Sequence, residues 1–467
     1  MKLSAIVKKA AISVMLATSL TGMAATPKYI FYFIGDGMGV GAVTNAQLYN
    51  RTVLGNETPL MLTRMPVGGF ATTHSYSSPV TDSAAAGTAL ATANKTRNGM
   101  LGMSPDTVAV KSMAAILHDN GYGVGLVTTV APDDATPGAF YAHVPYRGMF
   151  YEIGKDAAAS GYEFIAGANL RGTKDKDGKP NDLIKVLNES GVEIVRGTDN
   201  LRFTDSRRVM LLSPDTTSMN EIGLTVDSIP GAMLLQDMTQ ACIDHLMKTN
   251  PDKFFMMVEG GSIDHAGHAN DAATSVTETI SFSKALEVAY NFYEAHPEET
   301  LIVVTADHET GGMITANRNH HYWVDLSALK YQRIAKDSFA NLVRNEVMNG
   351  HEYTWPEMKE FLKEKMGFYS EITLTEEQDA SLRQKFEENF TRHKGEEQKT
   401  MYNAYNAFTT EVFDIMNRLS GIGWTTNDHS GTMVPVYAAG VDAMDFSGTM
   451  DNTEIPSRIL KTVGLSF

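Results

Sequence analysis

The chain has 467 residues, room for two or three domains, and its 43% hydrophobic and 20% charged content is that of a globular protein with a sizeable core. With 55 acidic against 39 basic residues the formal net charge is −16, which excludes general nucleic-acid binding and adhesion to anionic membranes. A small anionic substrate stays admissible, because cations inside a cleft can reverse the field locally.

The first residues read as a secretory signal. Lys2, Lys8 and Lys9 form a basic start, Ala10 to Leu20 an apolar stretch, and Gly22-Met23-Ala24 a small-residue cleavage site. That stretch is too short to span a bilayer comfortably, and no other run is long and apolar enough. Residues 1–24 are therefore expected to be removed from an exported protein, periplasmic or secreted, with no membrane span. Cys242, the single cysteine, can form no intrachain disulfide even in an oxidising compartment.

Tyr29 to Ile34 is a continuous apolar run, as in a strand buried on both faces. Gly35-Asp36-Gly37-Met38-Gly39 follows at once. The spacing of a dinucleotide loop is absent, and a carboxylate exposed at a strand end, suited to a metal, fits better. Next comes Thr81-Asp82-Ser83 before the Ala-rich run Ala84 to Ala93, which places Ser83 at a helix N-terminus that favours an anion. Taken alone, the same triplet reads more readily as a plain helix cap. A serine hydroxyl needs a base or a metal to become a nucleophile, and no histidine lies near Ser83 in sequence.

A helix is expected over 108–120 and a strand over 123–128. Asp134 and Thr136 then stand before Pro137, which would open a helix at its first position, with Arg147 beyond. Lys174 to Pro180 reads as a polar loop or hairpin, and strand-like pieces occur at 164–165 and 209–212. Between Gly148 and Pro230 no chemistry is legible. A helix over 233–248 carries Cys242 in phase with Leu235, Met238 and Leu246, as a buried thiol. It leads to a strand at 254–258.

Glu259, Asp264, His265 and His268 crowd the next ten residues; an acid and a histidine four apart converge on one side of a turn or helix, as a metal site requires. A helix over 271–296 and a strand over 301–305 follow, and the strand stops at Asp307-His308. Residues 316–423 are charge-rich with helical periodicity at Leu382, Phe386 and Phe390, and again at Tyr405, Phe408, Val412 and Met416. Thr375 with Gln378 resembles a capping box. His429 then precedes a strand at 435–438.

Strands alternating with helices predict an α/β fold: a mostly parallel central sheet with helices on both faces, plus a largely helical insertion. The expected boundaries are 25–315 and 424–467 for the core and 316–423 for the insertion. Ligands of such sheets bind beyond the carboxyl ends of the strands, where Asp36, Glu259 and Asp307-His308 would meet.

The stretches TDSAAAG, GDGMG, DATP with AHVPYR, VEGGSIDHAGH, VTADHETGG and TTNDHSGT resemble those of the alkaline phosphatase family, in the family's order. The resemblance covers the chain to His308 and resumes at His429; the insertion matches less well. It implies phosphate monoester hydrolysis with Ser83 as the nucleophile forming a phosphoserine, and Arg147 gripping two phosphate oxygens. It implies a first zinc on Asp264, His268 and His429, and a second on Asp36, Asp307 and His308 that also binds Ser83. A third ion, magnesium, would take Asp36, Thr136 and Glu259. Hard oxygen ligands suit magnesium, and His-plus-carboxylate sets suit zinc.

Asp134 and His265 fall where family members contact substrate and differ among themselves, carrying Asp with Lys or His with His. The mixed pair here bears on the third ion and on phosphate grip, where a neutral or partly charged His265 would hold less firmly than lysine. A homodimer is also implied by the family. Among alternatives, sulfatases need a C/S-x-P-x-R context that TDSAAAG lacks. Superfamily diesterases usually carry Thr at the nucleophile position and no match to Arg147, and phosphoglycerate mutases have no reason for a signal peptide. A secreted phosphate-binding protein would have lost ligands that are all present.

Overall fold

The computed structural model describes residues 26–217, 220–316, 322, 324–391, 397–399 and 404–467; the signal segment 1–24 lies outside the described residues. Ten strands among the described residues form the main sheet. They are β1 (Tyr29–Ile34), β2 (Val67–Thr72), β3 (Gly123–Thr128), β4 (Phe164–Gly167), β5 (Glu193–Arg196), β6 (Val209–Leu212), β7 (Phe254–Glu259), β8 (Thr300–Thr305), β9 (Val434–Gly440) and β10 (Gly448–Asp451). Their order is β10-β2-β9-β8-β1-β7-β3-β4-β6-β5. Every neighbouring pair is parallel except the two made by β9, which runs antiparallel between β8 and β2. Each residue of β1, β3, β7 and β8 is buried, so both faces of the sheet centre are covered, as continuous apolar runs require.

β1 lies at the centre, with Ile34 in register with Glu259 on one side and Thr305 on the other. The carboxyl ends of three adjacent strands therefore share one rim. The direction of β9 brings its entering residues, just after His429, to the same rim. Gly37 turns the chain off β1 at φ +69°, and a Cβ there would meet Asp264 Cα at 2.8 Å, so glycine is required twice over.

The helices Lys336–Met348, Trp355–Met366, Glu376–Phe386 and Ala407–Ser420 lie within 316–423. Thr375 and Gln378 form the expected capping box, and Thr354 with Glu357 forms a second. Leu382, Phe386, Tyr405, Phe408, Val412 and Met416 are buried, and the Phe390 ring stacks on Phe386. Most of these apolar side chains continue the buried cluster of the sheet.

Three expectations differ from the structure. Residues 108–111 are not helical: Thr107 takes a positive φ and Met103 bridges Ala109, so the helix is Met113–Asp119, capped by Ser112. Pro137 sits third, not first, in the short helix Ala135–Gly138, because Asp134 caps it through Ala135 N–H. β2, β5 and β10 went unread because the burial of each is partial.

Candidate active site

Ser83 is the first residue of the helix Ser83–Thr92, and the Asp82 side chain caps that helix by accepting from Ala85 N–H at 3.0 Å. Cap and candidate nucleophile are thus different residues, Asp82 and Ser83. Ser83 is buried, and its Oγ lies 3.2 Å from His308 Nε2. The same nitrogen is 3.1 Å from Asp307 Oδ2 and 3.4 Å from Asp36 Oδ1. Those two carboxylate oxygens are fully buried and lack an aligned hydrogen bond among the described residues. Buried anionic oxygens without donors, converging on a ring nitrogen and a hydroxyl, make a cation's donor set rather than a self-sufficient hydrogen-bond network.

A second group adjoins it. Donor atoms of Asp264, His308 and His429 gather as closely as those of Asp36, Asp307 and His308, so His308 belongs to both. Its ring stacks on His429 with centroids 3.6 Å apart. His268, four residues after Asp264 on the helix Ser262–Ala269, places Nε2 at 3.0 Å from His429 Nε2 and 3.5 Å from Asp264 Oδ2. Thr310 Oγ1 donates to Asp264 Oδ1 at 2.5 Å and fixes that carboxylate.

A third cluster lies toward β3. Thr136 Oγ1 donates to Asp36 Oδ2 at 3.4 Å, and Thr128 Oγ1 donates to Glu259 Oε2 at 2.5 Å. Burial raises Asp36 well above the ordinary carboxylate range, aided by the charges of Asp307, Asp264 and Glu259. Burial likewise pushes Glu259 up to about 8. Packed carboxylates that hold protons so tightly are sites where a cation can replace the proton. Burial also acts on Asp264, but the imidazoles around it, His268 first, outweigh it and hold that carboxyl below its usual range. His429 is pulled down to about 4 by burial and by His308, which leaves it neutral and able to ligate.

Arg147 reaches the same rim between two carboxylates, 3.5 Å from Asp82 and 3.2 Å from Asp134. Sequence reasoning missed two further residues here. Arg171 Nη1 lies 3.0 Å from Asp134 Oδ2, and Glu221 Oε1 lies 2.5 Å from His265 Nδ1. Burial would lower His265, but the Glu221 contact outweighs it and raises the imidazole to about 9. His265 is thus cationic at neutral pH, not the neutral or half-charged group expected from sequence. Both partners come from the stretch 148–230, where single charged residues in loops carry no pattern. Cys242 is buried and takes no part.

The rim of a mostly parallel sheet, a buried serine at a helix N-terminus and two carboxylate–histidine groups sharing His308 define a metal-dependent hydrolase of phosphate-type anions. The alkaline phosphatase family model matches residues 27–172 and 163–465, so the chain belongs to that family and is a phosphatase. It is 30% identical over 443 residues to alkaline phosphatase 3 of Bacillus subtilis (strain 168), spanning 93% of this chain and 89% of that one. The cold-active alkaline phosphatase of Shewanella sp. superposes with a TM-score of 0.78 at 25% identity, covering 93% of this chain and all of the other. A substituted alkaline phosphatase of the Antarctic bacterium TAB5, described with magnesium bound in its M3 site, gives 0.64 at 25% identity over 95% of this chain and all of its own.

Proposed function

We propose that the protein hydrolyses phosphate monoesters through a phosphoserine at Ser83. The observation that carries this reading is the placement of Ser83 Oγ, at a helix N-terminus and 3.2 Å from the one imidazole common to both donor groups. Asp264, His268 and His429 would hold one zinc, Asp36, Asp307 and His308 a second, and Asp36, Thr136 and Glu259 a magnesium. Bound there, the cations lower the proton affinity of a hydroxyl or water and offset charge on the entering and leaving oxygens.

The chain's own groups do the rest. Ser83 Oγ attacks phosphorus in line, the ester P–O bond breaks, and the alcohol leaves carrying a proton. Water then attacks the phosphoserine from the vacated side, releasing phosphate and restoring the hydroxyl. Arg147 clamps two phosphoryl oxygens with its planar fork, and the free N–H groups of the Ser83 helix face the same anion. His265, cationic beside Glu221, stands at the same rim. The insertion 316–423 flanks this core of 25–315 and 424–467 and supplies dimer or substrate contacts. The chain acts after export, as a homodimer in the periplasm or outside the cell. Among the described residues no helix is long and apolar enough to cross a membrane.

Turnover of p-nitrophenyl phosphate and of its bis-ester by wild type and Ser83→Ala tests the reading. The monoester should be preferred and Ser83→Ala should lose about 10³-fold or more in kcat while staying folded. Preference for the bis-ester would make the protein a diesterase instead, and an undiminished variant would remove Ser83 as nucleophile.

A further inference from the structure

Arg171 has no part in the chemistry above, yet two adjacent carboxylates hold it. It opens the short turn Arg171–Thr173 that follows β4. Asp133 grips the backbone of that turn, accepting from Arg171 N–H at 3.0 Å and Gly172 N–H at 2.7 Å. Asp134 takes the side chain, with Arg171 Nη1 at 3.0 Å from Oδ2. On its far side the guanidinium lies over the Phe150 ring at 5.4 Å and donates from Nη2 to Asn220 Oδ1 at 3.2 Å. A backbone clamp, an ion pair, a ring and an amide leave this side chain little freedom.

Its position matters because of what else Asp134 touches. The other oxygen, Oδ1, accepts from Arg147 Nη2 at 3.2 Å, and Asp82 approaches Arg147 from the opposite side at 3.5 Å. Arg147 therefore stands between two carboxylates, and any phosphate must compete with both for its guanidinium. Arg171 shares the Asp134 charge and weakens that competition, while keeping the carboxylate oriented so that Arg147 presents its fork. We infer that Arg171 is a positioning residue for phosphate binding, acting on Arg147 through Asp134. The inference rests on the phosphatase reading, in which Arg147 binds the phosphoryl group.

The test is calorimetric binding of inorganic phosphate to the metal-loaded full chain, beside kcat and KM for p-nitrophenyl phosphate. Arg171→Gln and Arg171→Lys are each made in the wild-type and Asp134→Asn backgrounds. Arg171→Gln should weaken phosphate binding roughly tenfold and raise KM in step, with kcat within about twofold. Arg171→Lys should stay within about threefold of wild type. With Asp134→Asn present, either change should shift phosphate affinity by less than about twofold, because the link is gone. Wild-type phosphate affinity in Arg171→Gln, or equal losses in both backgrounds, would overturn the inference. Should Arg171→Gln fail to fold, Arg171→Met takes its place: loss of affinity confined to the wild-type background supports the inference, and wild-type affinity or equal losses in both backgrounds refute it. A wild-type chain that neither binds phosphate nor cleaves the ester overturns the function itself, whereas an active enzyme indifferent to Arg171 overturns only this inference.

Discussion

His268 and His429 meet Nε2 to Nε2 at 3.0 Å while each ring donates from Nδ1 to a backbone carbonyl, His268 to Asn427 O at 2.5 Å and His429 to Thr81 O at 2.8 Å. A carbonyl can only accept, so both Nδ1 atoms carry protons and the two Nε2 atoms are left facing each other. Two bare Nε2 lone pairs repel unless a proton or a metal cation sits against them. The carbonyls thereby select the tautomer a metal needs.

Chelation should then cost stability as well as activity. Ligand linkage stabilises by about 4 kcal/mol for each site held at a thousand times its dissociation constant. A chelator-treated sample is expected to melt several degrees lower and to regain both midpoint and turnover when zinc and magnesium are returned. Scanning calorimetry with parallel metal analysis reads this; an unchanged midpoint would mean these side chains hold no ion.

The pH dependence of the metal-free chain follows from two raised values. Glu259 at about 8 and His265 at about 9 keep protons that the unfolded chain has already lost. The folded state binds more protons across this window, so stability falls as pH rises from about 6.5 to 9. A cation against Glu259 replaces its proton, so the loaded protein should show a shallower fall. Melting curves of chelated and loaded samples over that range check the slopes, and a chelated midpoint rising with pH would contradict the burial of these charges.

Arg147→Ala should weaken inorganic phosphate binding about 10- to 100-fold, the worth of one or two charge-assisted hydrogen bonds, with metal content unchanged. Arg147→Lys keeps the charge without the planar fork and should recover only part of the loss. Binding calorimetry and metal analysis on the same preparations separate the two effects. Loss of metal in Arg147→Ala would make the arginine a scaffold for the cation sites.

In the core, a Cβ built on Gly125 of β3 would meet Cys242 Sγ at 2.3 Å, so this glycine makes room for the buried thiol. Gly125→Ala should destabilise by about 1–3 kcal/mol through overpacking. Adding Cys242→Ala should return part of that, a coupling that denaturant titration of the four variants can measure.

The strands at the sheet centre and the acid and histidine clusters at their ends were legible because apolar runs and strand-end carboxylates are local patterns. Gly123–Thr128 emerges with the boundaries expected. The serine's partner His308 stands 225 positions away, and only the family resemblance linked the two. Glu221 and Arg171 carried no such signal, since one charged residue in a loop looks alike in solvent or against His265 or Asp134. The expected helix was started too early at 108–111, where two valines are weak helix formers and, in the folded chain, the bridge from Ala109 to Met103 and the left-handed turn at Thr107 hold the segment outside it.

The most direct measurement is acid-quenched turnover followed by mass spectrometry of the peptide carrying Ser83. Incubation with phosphate at mildly acidic pH, where the phosphoseryl bond survives, should leave one phosphoryl group on Ser83 in the metal-loaded protein and none after chelation. An active enzyme whose quenched chain bears no phosphoryl group, or bears it on another residue, would contradict serine attack at this rim.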